Sequence, residues 1–343
     1  MSARCDVQSV FEYSITPLLI KECSTLRPMS KRFGAFCLAL GLTFPSYFTA
    51  SAQADSAPAT TAQQAPPGKW VILLHGGATS LQHGSLTPEK EKSYRTALDL
   101  ATQAAARVLN ANGSAVSAVE AGLRVLEDDP QFAATRTNGL EASIMDGSTT
   151  KSGSVTGVKT TKHPISLAKA VLSKSPNRSL SGEEADQFAT KQGLTQIPVS
   201  TFVEDISDGG SLGMVVRDRM GDLAAGTTCK STASAANDLA LLTEETYASN
   251  RSCAVSSTGT GEAFLKLQVA HSICALVQYT GLDLQQAEDE VVQRQLRELK
   301  GEGGVIAITA DGQLAWSFNT QAMFRVRLVE GSAEQIGIYK NEP

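Results

Sequence analysis

Histidines, paired cysteines and basic clusters are scarce in this chain, and each scarcity removes a class of function. The 343 residues hold four histidines and six cysteines. His75, His83, His163 and His271 stand apart without a partner at catalytic spacing, and no CxxC or paired Cys/His spacing occurs, which argues against a zinc site. Lysines are scattered and the formal net charge is −5, so no basic stripe is available for nucleic acid. After Ala54 no apolar run reaches the length of a membrane span. What is present is enough apolar matter for a large core, with 42% hydrophobic and 19% charged residues.

The amino-terminal region reads differently from the rest. Met29-Ser30-Lys31-Arg32 opens a basic segment, residues from Phe33 to Phe48 are largely apolar, and Ala50-Ser51-Ala52 and Ala52-Gln53-Ala54 are small-x-small cleavage sites. Residues 1–54 are therefore expected to be a signal or leader region, the alternative being a disordered tail. The signal is expected to start at Met29, residues 1–28 being either an over-extended gene start or an unusual leading segment, and a signal would send the chain to the periplasm or outside the cell. Residues 55–68, rich in Pro, Ala, Thr and Gln, are expected to be a flexible tether. Residues 69–343 are expected to form a single domain.

Periodicity predicts the elements of that domain. Trp70–Leu74 is a continuous apolar run, which predicts a strand covered on both faces. His75, between that run and Gly76-Gly77, is expected to brace a turn. Thr87-Pro88-Glu89 starts a helix, and Ser114 caps a second one that stops at Pro130. Strands are expected at Ile144–Met145 and Ser154–Lys159, a helix from Pro164 to Leu172, and strands near 212–217, 222–228 and 252–257. Helices near 261–278 and 284–299 precede a hairpin, Val305–Thr309 with Gln313–Phe318, around Asp311-Gly312. Outside the leader the cysteines are Cys229, Cys253 and Cys274; a Cys229–Cys253 bridge competes with buried free thiols at these strand-like positions.

The stretch most suited to chemistry is Asp208-Gly209-Gly210-Ser211-Leu212-Gly213-Met214-Val215-Val216, followed later by Ser257-Thr258-Gly259-Thr260-Gly261-Glu262. Gly210 permits backbone conformations that a side chain would forbid. A serine after such a glycine could attack its own preceding carbonyl, pass the acyl group from nitrogen to oxygen, and emerge by hydrolysis as a new amino terminus. The free amine would then serve as the base for its own hydroxyl, without any histidine. The Thr-Gly turn would supply oxyanion donors. Against this, Gly-Gly-Ser also reads as a loop feeding a core strand, and Thr258-Gly259 as a strand-to-helix turn capped by Thr260.

The order of landmarks resembles the plant-type asparaginase and isoaspartyl peptidase family, relatives of the glycosylasparaginases among N-terminal nucleophile hydrolases. The likeness is carried by Trp70–Ala78, by Ser114–Val116 with Val119–Glu127, by Ile144–Gly147 with Gly153–Val155, by Gly210–Val216, by Ser257–Glu262 and by Phe318–Arg325. It implies an α+β fold, a four-layer αββα sandwich, cut into residues 69–210 and 211–343, and a dimer of the resulting αβ heterodimers. It also implies a hydrolase for β-aspartyl peptides or asparagine-type amides, with a small-molecule or short-peptide substrate. No cofactor or metal is expected, and composition argues against nucleic-acid and membrane partners. Ser211 stands where the family carries its nucleophilic threonine, Thr258 and Gly259 match its oxyanion pair, and Cys229 replaces a second threonine beside the nucleophile.

Three departures qualify the likeness. Residues Phe132–Gly139 are shorter than the family's loop and lack its Asn-Ala-Gly. Lys230–Asp238 holds no arginine where the family clamps the substrate carboxylate, a loss that no lysine replaces conservatively. The segment from Gly193 to Gly210 is short. They leave open a second reading, a weakened or inactive descendant that binds rather than cuts.

Overall fold

A computed structural model of the chain describes residues 62–132, 139–198, 210–230, 245–259 and 261–342. The leader at 1–54, the shortened loop after Phe132, the segment preceding Gly210, residues 231–238 of the missing clamp and Thr260 all lie outside these described residues.

The chain runs β1 (Gln63–Gln64), β2 (Val71–Thr79), α1 (Pro88–Asn110), α2 (Ala115–Asp128), β3 (Leu140–Asp146), β4 (Lys151–Val158), α3 (Pro164–Lys174), β5 (Ser179–Ser181) and α4 (Gly182–Lys191). It continues through β6 (Leu212–Arg217), β7 (Leu223–Lys230), β8 (Thr246–Ala248), β9 (Cys253–Gly259), α5 (Gly261–Leu267), α6 (Val269–Thr280) and α7 (Leu284–Asp289). A π-helical turn, Glu290–Leu296, leads into β10 (Gly303–Thr309), β11 (Gln313–Phe318), β12 (Ala322–Val329) and β13 (Gln335–Tyr339). The fold is thus α+β.

Local signals place the first helices. Thr87 caps α1, its hydroxyl accepting from the Lys90 N–H at 3.3 Å with Pro88 in the first turn, and Ser114 caps α2 through the Ser117 N–H at 3.3 Å. Both caps satisfy backbone donors that the helix itself leaves open.

The strands form two sheets. One has eight, in the order β13-β12-β2-β6-β7-β3-β4-β5, antiparallel except for β4 with β5; the other has five, β1-β11-β10-β9-β8. Strand alternation explains the continuous apolar run of β2. Ile72 and Leu74 join a cluster with Leu98 of α1, Leu123 of α2 and Ile165 of α3. Val71 and Leu73 point the other way, into a cluster with Ala254, Ile306 and Trp316 of the five-stranded sheet. A third cluster joins Val255, Val305 and Ala307 to Phe264, Ile273, Leu284 and Val291. Every side chain of the run is therefore buried, whichever way it points.

Several sequence expectations are corrected. Part of the tether is pinned: Gln63 and Gln64 pair with Leu314 and Gln313 at the edge of the five-stranded sheet, and Ala65 is buried, its N–H donating to Gly312. The helix expected over 261–278 breaks at Gln268, whose left-handed φ of 49° separates α5 from α6. His75 lies inside β2 rather than at a turn. Neither expected cysteine state holds for Cys253, which is bridged to Cys274 of α6 with the Cα atoms 5.3 Å apart; Cys229 takes part in no disulfide among the described residues.

That bridge fastens β9 to the helix covering it. Its sequence separation of 21 residues corresponds to a loop-closure contribution of about 3 kcal/mol in the chain-entropy picture. Reduction, or Cys274→Ser, is expected to lower unfolding stability by about 2–4 kcal/mol, seen as a lower urea midpoint at nearly unchanged slope. An unmoved midpoint would show that the bridge does not constrain the unfolded chain.

Candidate active site

The site is built where the two sheets face each other at one end. In β6 the even-numbered residues Leu212, Met214 and Val216 face the helices, while Val215 faces the other sheet. Strand alternation therefore turns Gly213 and Ser211 toward the five-stranded sheet as well. Ser211 is 5% exposed, immediately ahead of the strand. Opposite it, β9 sends Cys253 and Val255 toward its own helices, leaving Ser256 and Thr258 to face β6.

A buried polar chain ties the sheets together beneath Ser211. His75 Nε2 lies 2.8 Å from the Ser256 hydroxyl, Ser256 lies 2.9 Å from that of Thr227 on β7, and the Thr246 hydroxyl on β8 donates to Thr227 at 2.7 Å. All four residues are buried. Burial lowers the His75 pKa to about 3, opposed only in part by the backbone of Ser211, so the imidazole is neutral at physiological pH. Gly213 makes room for the contact: a Cβ there would fall 1.9 Å from the Ser256 hydroxyl and 2.2 Å from His75 Nε2.

Ser211 is held from the opposite side. Its hydroxyl donates to Glu245 Oε2 at 2.7 Å. Burial raises the Glu245 pKa to about 7, the Ser211 hydrogen bond pulling weakly the other way. Glu245 precedes β8, whose Thr246 and Ala248 pair with Ser256 and Ala254 of β9, and its backbone carbonyl accepts from the Ser257 hydroxyl at 3.5 Å. The carboxylate is thus mounted on the second sheet and aimed across at the first.

Gly210 fits closely against the same wall. A Cβ at Gly210 would lie 2.4 Å from Thr258 Oγ1. That hydroxyl is buried and has no hydrogen-bond partner among the described residues. A donor left unsatisfied in the interior costs free energy, and here it lies beside the peptide unit joining Gly210 to Ser211. Gly259 follows at the end of β9, paired with Gly303. Cys229 is reached by register: β6 and β7 pair Leu212 with Thr228, so one step further sets Cys229 across from Ser211. Its thiol meets Glu141 Oε2 on β3 at 3.8 Å.

The structure therefore brings Gly210, Ser211 and Thr258 together, with Gly259 adjoining and Cys229 across the ladder. Glu245 and the chain from His75 to Thr246 were not found from sequence. Residue 245 is separated from Ser211 by 34 positions, and no motif spacing marks it. The alternation of His75 with Leu73 on β2 was the one available hint for the imidazole. Among the described residues no group of three or more His, Cys, Asp or Glu side chains is placed to hold a metal ion.

Known proteins match this framework along most of its length. The sequence profile of the asparaginase family matches residues 68–208 and 204–338. An isoaspartyl peptidase of Salmonella typhimurium is 34% identical over 313 residues, covering 79% of this chain and 99% of that protein. One from Escherichia coli is 34% identical over 316 residues, covering 80% and 98%. A probable isoaspartyl peptidase/L-asparaginase of Arabidopsis thaliana is 32% identical over 332 residues, covering 80% and 100%. With a serine beside a crowded glycine between facing sheets, and with likeness running through nearly the whole length of these relatives, the chain belongs to the asparaginase family of hydrolases.

Proposed function

We propose that this protein is an exported amidohydrolase that cuts itself between Gly210 and Ser211 and then uses Ser211 as an amino-terminal nucleophile on β-aspartyl peptide or asparagine side-chain amide bonds. The observation that carries the reading is the packing at the scissile peptide. Gly210 admits no side chain against the Thr258 hydroxyl, Ser211 presents its hydroxyl at the strand start, and Thr258 holds a buried donor with nothing yet to bind. An oxyanion forming on the Gly210 carbonyl would give that donor a partner, a stabilisation typically worth about 2.7–4 kcal/mol per donor. Gly259 would add its backbone N–H. After the cut the Ser211 amine would activate the hydroxyl for substrate.

The wider reading follows the same family resemblance. The three apolar clusters support a four-layer αββα N-terminal nucleophile sandwich, divided by the cut into residues 69–210 and 211–343. Resemblance alone supports a dimer of such αβ units. The Cys253–Cys274 bridge supports export to the periplasm or medium under a signal within residues 1–54, because such bridges persist in oxidising compartments. A small molecule or short peptide is the substrate this reading calls for.

Self-cleavage is tested on the purified protein by denaturing gel and Edman sequencing. Two fragments are expected, the second beginning Ser-Leu-Gly-Met. Ser211→Ala should stay intact while remaining folded, and Gly210→Ala should stop or greatly slow the cut, since its methyl group meets the Thr258 hydroxyl. An intact wild-type chain after prolonged incubation would overturn the reading.

Turnover is expected to be weak for free asparagine and for β-aspartyl dipeptides, because residues 230–238 hold no arginine for the substrate carboxylate. Losing a charge-assisted pair costs about 1.5–3 kcal/mol, roughly one to two decades in affinity. A β-aspartyl dipeptide assay giving KM values in the usual micromolar-to-millimolar range would show that another group holds the carboxylate.

Cys229 is proposed to support Ser211 from across the ladder, where a thiol is a poorer hydrogen-bond partner than a hydroxyl. Cys229→Thr should then speed self-cleavage, amide hydrolysis or both. Unchanged kinetics with unchanged thermal stability would leave Cys229 as packing.

A further inference from the structure

We propose that Glu245 is the general base of self-cleavage, taking the proton of the Ser211 hydroxyl as it attacks the Gly210 carbonyl and returning it to the departing amine. The inference rests on the processing reading above and supplies what that reading lacks. Before the cut, Ser211 nitrogen is an amide and cannot act as a base, so the first attack needs another proton acceptor. Among the described residues the group in that position is Glu245, whose Oε2 accepts from Ser211 Oγ at 2.7 Å in a buried setting. This is within the reach that general-base transfer requires.

The other ionisable groups on the strands around it are placed for other work. His75 on β2 is engaged with Ser256 and, with a pKa near 3, is a far weaker proton acceptor than a carboxylate near 7. Glu141 on β3 and Cys229 on β7 meet each other at 3.8 Å. Burial and the Ser211 hydroxyl are what move the Glu245 pKa, with no charged neighbour contributing. The mount is rigid, since Thr246 next in sequence is tied to Thr227 at 2.7 Å and paired with Ser256.

The step balances. Ser211 Oγ forms a bond to the Gly210 carbonyl carbon as its proton passes to Glu245. The carbon–nitrogen bond then breaks, and Glu245 returns the proton to the Ser211 nitrogen, leaving an ester. Water cleaves the ester to the Gly210 carboxylate and a free Ser211. Glu245 ends as it began, beside a new ammonium group that it can pair with.

The test follows cleavage in freshly translated chain, chased between pH 5.5 and 9 and resolved on denaturing gels. For the wild type the rate should climb with pH below about 7 and level above it, as Glu245 ionises. Glu245→Gln should slow the cut by about 10²-fold or more and lose the climb, while Glu245→Asp should retain both the cut and a pH dependence. The stability of Glu245→Gln provides the control for folding. Removing a buried acid that must ionise as pH rises should leave the variant at least as resistant to heat as wild type at pH 8. Should the variant fail to fold, the wild-type profile still decides, and a rate flat from pH 5.5 to 9 overturns the proposal. Wild-type cleavage matched in rate and profile by Glu245→Gln removes Glu245 alone and leaves self-processing standing. A wild type that never cuts takes down both.

Discussion

Two sheets pressed together must either be wholly apolar where they meet or satisfy every polar group they bury. This protein does the first over most of the interface, and at one end it buries polar side chains that are largely paired with one another. Val71, Leu73, Val215 and Ala225 meet Ala254, Ile306 and Ile308 in an ordinary dry core. A few residues along the same strands, the facing side chains become His75, Thr227, Ser256 and Thr246, joined in an unbroken line of hydrogen bonds. Polar networks in a low-dielectric interior are rigid when every member has a partner. That rigidity fixes the separation of β6 and β9, and with it the distance between Ser211 and the groups opposite.

The contrast between the hydroxyls of the hydrogen-bonded line and the Thr258 hydroxyl is informative. Natural interiors rarely leave a donor unpaired, and this one sits within a Cβ's reach of Gly210. Glu245 is a second departure from interior convention, a carboxyl with little access to water and a pKa raised toward neutrality. Other buried polar atoms among the described residues also lack partners, both carboxyl oxygens of Glu288 included. Beside Ser211, however, an unpaired hydroxyl and a carboxyl shifted by burial occur together, and perturbed groups of this kind cluster at functional sites. Here both converge on the single peptide bond before β6.

Much of the framework was legible in local sequence. The run at Trp70–Leu74 announced a strand covered on both faces, and Thr87-Pro88 and Ser114 announced helix starts, because caps and alternation are short-range effects. What escaped depends on long-range pairing. Glu245 matters only because β8 pairs with β9 and β9 faces β6. The Cys253–Cys274 bridge depends on where α6 lies over the sheet. The kink at Gln268 carries no glycine or proline to mark it. In β12 the alternation is masked by Arg325 and Arg327, whose charged groups are buried against the rings of Trp316 and Phe318 and so occupy positions where an apolar residue would be expected. Family resemblance named Ser211, Thr258, Gly259 and Cys229 without needing any of these contacts, yet could not name Glu245.

The strand order carries one more consequence. In the eight-stranded sheet β2, which precedes residue 210, lies between β12 and β6, which follow it, and β7 in turn borders β3. A break before Ser211 would therefore leave two polypeptides woven through each other, held by ladders on both sides of β2. Neither could leave without dismantling the sheet, so the nicked molecule would persist as one body. Its unfolding, however, would release two separate chains, and reassembly would become a dilute encounter between strangers. The native form would then endure by the height of its unfolding barrier rather than by a reversible balance.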